Sequence, residues 1–360
     1  MAGENVRTES VAGCPGVVNS TGRMLSARSW SAAVLPGALM LLGSAAVAPA
    51  LTINATFASS FGTYGGSNTA YYESQVNQAI STVESYIANP VTVNITFAGM
   101  NSGLGQSSTY VSTITYSQYL SNLENNQTRS SYDNTAIASL PPGPNDPVPG
   151  NTSGNITTTL PLLRALGYIA NPPPGAPDST ISLNLGLMAN SSNPSGYSAQ
   201  SVAAHEIDEV LAIGGTGSEL GSGNLTTGAV GPLDLFRYTA SGVRSYSTST
   251  NIAPYFSIDG GSTDLVHFNQ YGGSSDYADW GNGVTPAQAQ GNSPPQVQDA
   301  FGSPGVNPVL GRNELIALDV VGWNLTTAGT AVETPEASTL ALFGVAMAGL
   351  TLLPRKRRKP

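Results

Sequence analysis

An imidazole and two carboxylates lie within five positions of the segment Ser201 to Gly214, SVAAHEIDEVLAIG, as His205, Glu206 and Glu209. At the helical advance of about 100° per residue, Ala203, Ala204, Ile207, Val210 and Leu211 fall on one side, an apolar arc suited to a core. The three ionisable residues share the opposite side, with His205 and Glu209 one turn apart and Glu206 beside them. Two ligand atoms on adjacent turns can reach one metal ion. A third ligand and a base near an open water position would complete a hydrolytic site.

In H-E-x-x-H, two His one turn apart bind zinc and the Glu acts as general base. The same geometry here gives His205 and Glu209 as metal ligands and Glu206 as base, with Glu at the second ligand position. The helix does not supply the third ligand. Ten residues past His205, where an extended motif would place it, stands Gly215. Asp234 is the favoured candidate because it opens a strand after a loop long enough to fold back, while Glu219 and His267 remain alternatives. Zinc (Zn2+) is the default ion, although two carboxylates with one imidazole also suit a harder cation. The acid-rich turn Asp259 to Asp264 could hold calcium (Ca2+) through oxygen ligands, but it lacks the spacing of a calcium loop. Serine hydrolase chemistry has no G-x-S-x-G motif to support it. The competing reading of His205 and Glu209 is a solvated helix face carrying a weak i,i+4 pair.

The elements that must position these residues follow from periodicity. Leu51 to Ala58 reads as a strand, Ala70 to Ile87 as a helix ending before Pro90, and Val91 to Phe97 as a strand of clear alternation. Asn101 to Ser108 reads as a Gly/Ser loop, followed by short helices at Ser117 to Asn126 and Leu160 to Tyr168. Ser179 to Met188 is a strand ending shortly before the His-Glu helix. A hairpin turning at Ala240 to Gly242, a strand at Tyr255 to Ile258 and a helix from Asn313 to Val321, capped by Asn313 and ended by Gly322, complete the body.

Charge excludes some partners. The chain has 360 residues, and between Leu51 and Ser338 it holds five Arg, no Lys and 20 Asp plus Glu. Such a body repels nucleic acid and anionic membrane surfaces. The single cysteine, Cys14, leaves no disulfide framework and no thiol chemistry in the body.

Both ends read as addresses. Arg23 and Arg28 precede an apolar run from Ala32 to Val47 and the small residues Ala48-Pro49-Ala50, so residues 1–50 form a signal peptide, with Met24 an alternative start. Residues 51–327 form the catalytic domain and 328–339 a linker with Thr334-Pro335-Glu336-Ala337-Ser338. Residues 340–360 form a short apolar span with a basic tail.

That order of motif, span and basic tail resembles the PEP-CTERM sorting signal, although Ala337 replaces the usual second Pro. HEIDEVL with PLDLFRYTASGVRSY, YFSIDGG, FNQYGG, VQDAFGSPG and ELIALDVVGW resembles a bacterial family of PEP-CTERM-anchored metalloproteases of zincin-like type. The resemblance implies an α+β zincin-like metallopeptidase domain, with a mixed twisted sheet packed on the active-site helix. Ser179 to Met188 would be the edge strand that pairs with a peptide or protein substrate, and an exosortase-type enzyme would process a transient inner-membrane anchor. The absence of methionine between Met188 and Met347 leaves no Met-turn, so the chain departs from ordinary metzincins. The alternative function is a non-catalytic cell-surface or exopolysaccharide-associated matrix protein retaining the fold.

Overall fold

The first strand, β1 (Thr52–Phe57), turns Ile53 into the core and leaves its polar neighbours outward. The short α1 (Ser59–Gly65) leads into α2 (Thr69–Tyr86), which buries Tyr72, Val76, Ala79, Ile80 and Val83 at helical spacing. From there the chain returns as β2 (Thr92–Gly99), parallel to β1 and in register from Thr52 opposite Thr92 to Phe57 opposite Phe97. A helical crossover is the usual way to bring two neighbouring strands back parallel. The computed structural model describes residues 50–333 except 126–128, 151–153, 174, 222–228, 272–275 and 282–293. The signal peptide, sorting motif and apolar tail read from the sequence lie outside these residues.

Next come β3 (Gly105–Thr109) and β4 (Val111–Thr115), then α3 (Tyr116–Glu124), started by a reciprocal cap between Thr115 and Gln118. α4 (Ser131–Ser139), β5 (Asn155–Thr159) and α5 (Leu160–Ala165) precede β6 (Ser179–Leu183). β6 pairs parallel with β2 and antiparallel with β3, giving a mixed four-stranded sheet in the order β1-β2-β6-β3. Two sequence expectations change here. β6 is an interior strand, shorter than Ser179 to Met188, and the expected loop at Asn101 to Ser108 supplies the edge strand β3. GQSST has no apolar residue to announce a strand. Its pairing with Ser179–Leu183 makes it one, an instance of tertiary context deciding strand formation.

The helix α6 (Ala199–Val210) packs against α2, β3 and β6. Ser198 caps its start, its Oγ accepting from the Ser201 amide at 3.1 Å. At the other end the chain turns through Ala212, at φ 73°, with the amides of Ala212 and Ile213 donating back to the Glu209 and Asp208 carbonyls. The indole of Trp323 donates to the Leu211 carbonyl at 2.8 Å, fastening this end from the C-terminal part of the domain.

The remainder forms two smaller sheets. β7 (Ala229–Val230) joins β5 and β4, while β8 (Arg237–Ala240), β9 (Val243–Arg244), β10 (Tyr255–Phe256) and β11 (Val266–His267) form an antiparallel sheet in the order β11-β10-β8-β9. The expected hairpin is β8-β9. α7 (Arg312–Val321) is preceded by Gly311, whose amide donates to the Glu314 carboxylate. Asn313 therefore sits inside the helix and does not cap it. Gly322, at φ 125°, ends α7 as expected. α8 (Thr327–Glu333) packs on α7 and α2, so helical structure continues past the expected boundary at residue 327. The architecture is α+β. Among the described residues, no helix is long and apolar enough to cross a membrane.

One buried ion pair ties the sheet to the connection before β6. Arg164 Nη2 lies 2.6 Å from Asp178 Oδ1, with both side chains almost wholly buried, and Asp178 Oδ2 accepts from the Asn94 amide. Removing one partner of such a pair strands the other charge. Asp178→Ala is expected to lower stability by about 3–5 kcal/mol, read as a lower urea midpoint with an unchanged slope.

Candidate metal centre

The α6 face carrying His205, Glu206 and Glu209 is covered, not solvated. Glu206 and Glu209 are only 4% and 6% exposed. β3 crosses over them so closely that a Cβ at Gly105 would collide with the Glu206 carboxylate and crowd Val202 Cγ1. A side chain at this position would force the Glu206 carboxylate to shift. Two residues on, Ser107 Oγ donates to Glu209 Oε2 at 2.6 Å. Glu209 Oε1 accepts from the Gly215 amide at 3.3 Å. The position ten residues past His205 thus does reach the centre, but through its backbone.

His205 is oriented by its far nitrogen. Nδ1 lies 2.9 Å from the Val297 carbonyl, which can only accept, so Nδ1 carries the proton and Nε2 is left to face the carboxylates. Nε2 stands 3.6 Å from Glu209 Oε1 and 3.8 Å from Asp279 Oδ2. Ligand atoms of His205, Glu209 and Asp279 lie within 4.8 Å of one another, a group that could hold a metal ion.

Asp279 is supplied by the segment around Trp280, a fully buried ring stacked on Phe256 at 5.7 Å. The Asn269 amide donates to the Asp279 carbonyl, and the Trp280 amide donates to the Gln298 carbonyl. Gln298 Nε2 in turn donates to Asp279 Oδ1 at 2.9 Å. This amide holds one carboxylate oxygen and leaves the other toward His205, the arrangement by which outer contacts orient a ligand.

Asp234, the favoured third ligand from the sequence, is placed elsewhere. It lies in a 3-10 turn, Leu233–Phe236, fully buried. Its carboxylate accepts from Ser218 Oγ at 2.6 Å and from the amides of Glu219 and Gly231 at 3.0 and 2.8 Å. Burial nonetheless raises its pKa to about 6. Its place in the ligand group is taken by Asp279. Of the alternatives, Glu219 is outside the group, and His267 Nε2 pairs with Asp264 at 2.7 Å on an exposed surface. The candidate calcium turn is internally satisfied, with Asp259 accepting from Ser257 Oγ and from the Thr263 amide and hydroxyl.

Electrostatics are dominated by burial. Desolvation holds the Glu206 and Asp279 carboxyls well above the usual range, and the neighbouring Glu209 charge adds to both shifts. Burial also works against the charged form of Glu209, but the bonds from His205 and Ser107 outweigh it and lower its pKa. For His205, burial disfavours the cation, yet Asp279 and the two glutamates raise it well above the ordinary imidazole value. Beside them on α6, Asp208 is wholly buried, and neither of its carboxylate oxygens has a hydrogen-bond partner among the described residues. Burial and then Glu314 hold its pKa well above normal.

The centre opens into a cleft of about 620 Å³ lined by residues between Met100 and Ser107, leading into β3, and by residues between Pro295 and Pro308. Comparisons with protein-family models, curated proteins and solved structures return no match for the chain. Sequence reasoning missed Asp279, Gln298 and Ser107. No spacing links them to the helix, and only the adjacency of Asp279 to Trp280 hints at a carboxylate on a rigid anchor.

Two aspartates can be set against each other. Asp279→Ala is expected to weaken any divalent metal binding at this group by about 100-fold in calorimetric titration. Asp234→Ala is expected to keep one binding equivalent while losing roughly 3 kcal/mol of stability, because it strands three buried donors.

Proposed function

We propose that the chain is a zincin-like, zinc-dependent peptidase, exported and surface-sorted, with Glu206 as general base. The observation that carries this reading is the convergence of His205 Nε2 with the Glu209 and Asp279 carboxylates, beside a Glu206 that is buried and in part unsatisfied. Three carboxyl groups and one imidazole crowd a desolvated centre whose charge a bound cation would balance in place of protons, and His205 is already turned with Nδ1 on the Val297 carbonyl and Nε2 toward the carboxylates. When bound, zinc supplies Lewis-acid polarisation of the scissile carbonyl and a lowered pKa for water.

The chain's own residues do the rest. Glu206 adjoins the ligand group without belonging to it, and its carboxylate accepts a proton from the attacking water and returns it to the leaving amine. Ser107 holds Glu209 in the orientation that presents Oε1 to His205. β3 ends the sheet, and an extended peptide can add along its outer edge, with backbone hydrogen bonds fixing the scissile bond over the helix. This role falls to β3 and not to the Ser179 to Met188 segment. Export and sorting rest on the terminal signals in the sequence.

Elemental analysis of the purified full chain beside His205→Ala is the first test. One equivalent of zinc that disappears in the variant supports the centre. Wild type that takes up no zinc when it is supplied overturns the reading. Glu206→Gln is expected to keep its zinc while peptide turnover falls by about 100-fold to 10,000-fold. A zinc-loaded wild type that cleaves no peptide would leave the non-catalytic surface protein. Protons compete with the ion for the ligands, so zinc affinity is expected to climb as pH rises through the ordinary histidine range and beyond it. His205 is raised by its carboxylate neighbours, and binding must displace that proton.

A further inference from the structure

Backbone pairing along β3 would accept any extended peptide, so selection among peptides has to come from what else lines the cleft. Five carboxylates do so, Glu206, Glu209, Asp276, Asp279 and Asp299, with His205 and without a Lys or Arg among the lining residues. The five arginines of the body lie elsewhere. Arg164 pairs with Asp178, and Arg237 is buried against Gln270 and the Tyr277 carbonyl. Arg244 donates to the Leu235 and Ser139 carbonyls, Arg312 reaches the Tyr132 hydroxyl, and Arg129 stands outside the lining of the cleft.

A divalent ion held by His205, Glu209 and Asp279 balances only the two ligand carboxylates. Glu206 and Asp276 remain, beside Asp299, which already accepts from the Gln296 amide. The loaded cleft therefore stays negative, and its walls focus that field on whatever enters. Part of the lining is apolar, with Leu104 and Tyr197 beside Phe301 and Val306, which are 37% and 42% exposed. Large exposed apolar side chains lining a cleft favour an apolar residue on the ligand.

We infer that the site takes internal segments of cationic peptides, an apolar residue seated against Phe301 and Val306, and rejects anionic segments and free C-terminal carboxylates. This deepens the peptidase reading and rests on it. A terminal carboxylate has no cationic side chain in the cleft to receive it, so cleavage falls at internal bonds.

The test uses the full zinc-loaded chain and internally quenched peptides that share one central apolar residue, have blocked termini and carry Lys, Gln or Glu at the flanking positions. The expected order of kcat/KM is Lys above Gln above Glu, with steps of about tenfold that contract in molar salt. Asp276→Asn is expected to contract the Lys-to-Gln ratio several-fold. Unblocking the C-terminus of the Gln peptide is expected to slow its cleavage. The same peptides are titrated against zinc-loaded Glu206→Gln by fluorescence anisotropy, which reads binding without turnover. Cleavage or binding that is indifferent to charge, or that favours the Glu peptide, overturns the inference while leaving a peptidase intact. Cationic preference in binding with no cleavage by wild type supports the charge selection and overturns the peptidase reading. Failure to bind any of the peptides overturns both.

Discussion

Crowding of like charge in a dry place is the constraint around which the domain is arranged. Glu206, Glu209 and Asp279 are all nearly buried within reach of a single imidazole, and in a low-dielectric interior they repel one another strongly. A protein spends stability to assemble such a group, and the surrounding contacts show how the arrangement is held. Ser107 bonds one oxygen of Glu209, the Gly215 amide bonds the other, Gln298 bonds one oxygen of Asp279, and the Val297 carbonyl fixes His205. The contacts of Ser107, Gln298 and Val297 each leave one ligand atom facing the common centre, and the Gly215 amide steadies the Glu209 oxygen that does so. Removing a positive ion or proton from that centre would leave the charges opposed by little else.

Rigid elements supply these contacts. β3 is tied to β6 along its whole length, so Ser107 is placed by sheet register. Asp279 is placed by the aromatic packing of Trp280 against Phe256 and Phe268. α6 is held at both ends, by Ser198 at its start and Trp323 at its finish. The centre is therefore a meeting point of a sheet edge, a helix and an aromatic cluster, none of which could position the ligands alone.

Legibility in the sequence followed how local each signal was. α6 was readable because Ala203, Ala204, Ile207, Val210 and Leu211 mark a single buried arc, and the placement of His205, Glu206 and Glu209 follows from that period alone. β2 was readable because Val93, Ile95 and Phe97 alternate with polar residues and are all buried. β3 was not, since Gly105 to Thr109 becomes a strand only through its partner. Asp234 drew attention as an acid at the start of a strand, yet the same position made it the acceptor for nearby loop amides. Asp279 stands about 70 residues past Glu209, and only the folded packing of Trp280 brings it back.

The bond from Trp323 to the Leu211 carbonyl bears on how the polypeptide tolerates trimming. It is the last point along the described chain at which a side chain fastens the end of α6, and only α8 follows, ending at Glu333. A cut before Trp323 would release the helix terminus and slacken the ligand set. A cut beyond Glu333 would leave every contact described at the centre in place. The contacts described at the centre come from residues no later than Trp323, so trimming that stops short of that residue spares all of them.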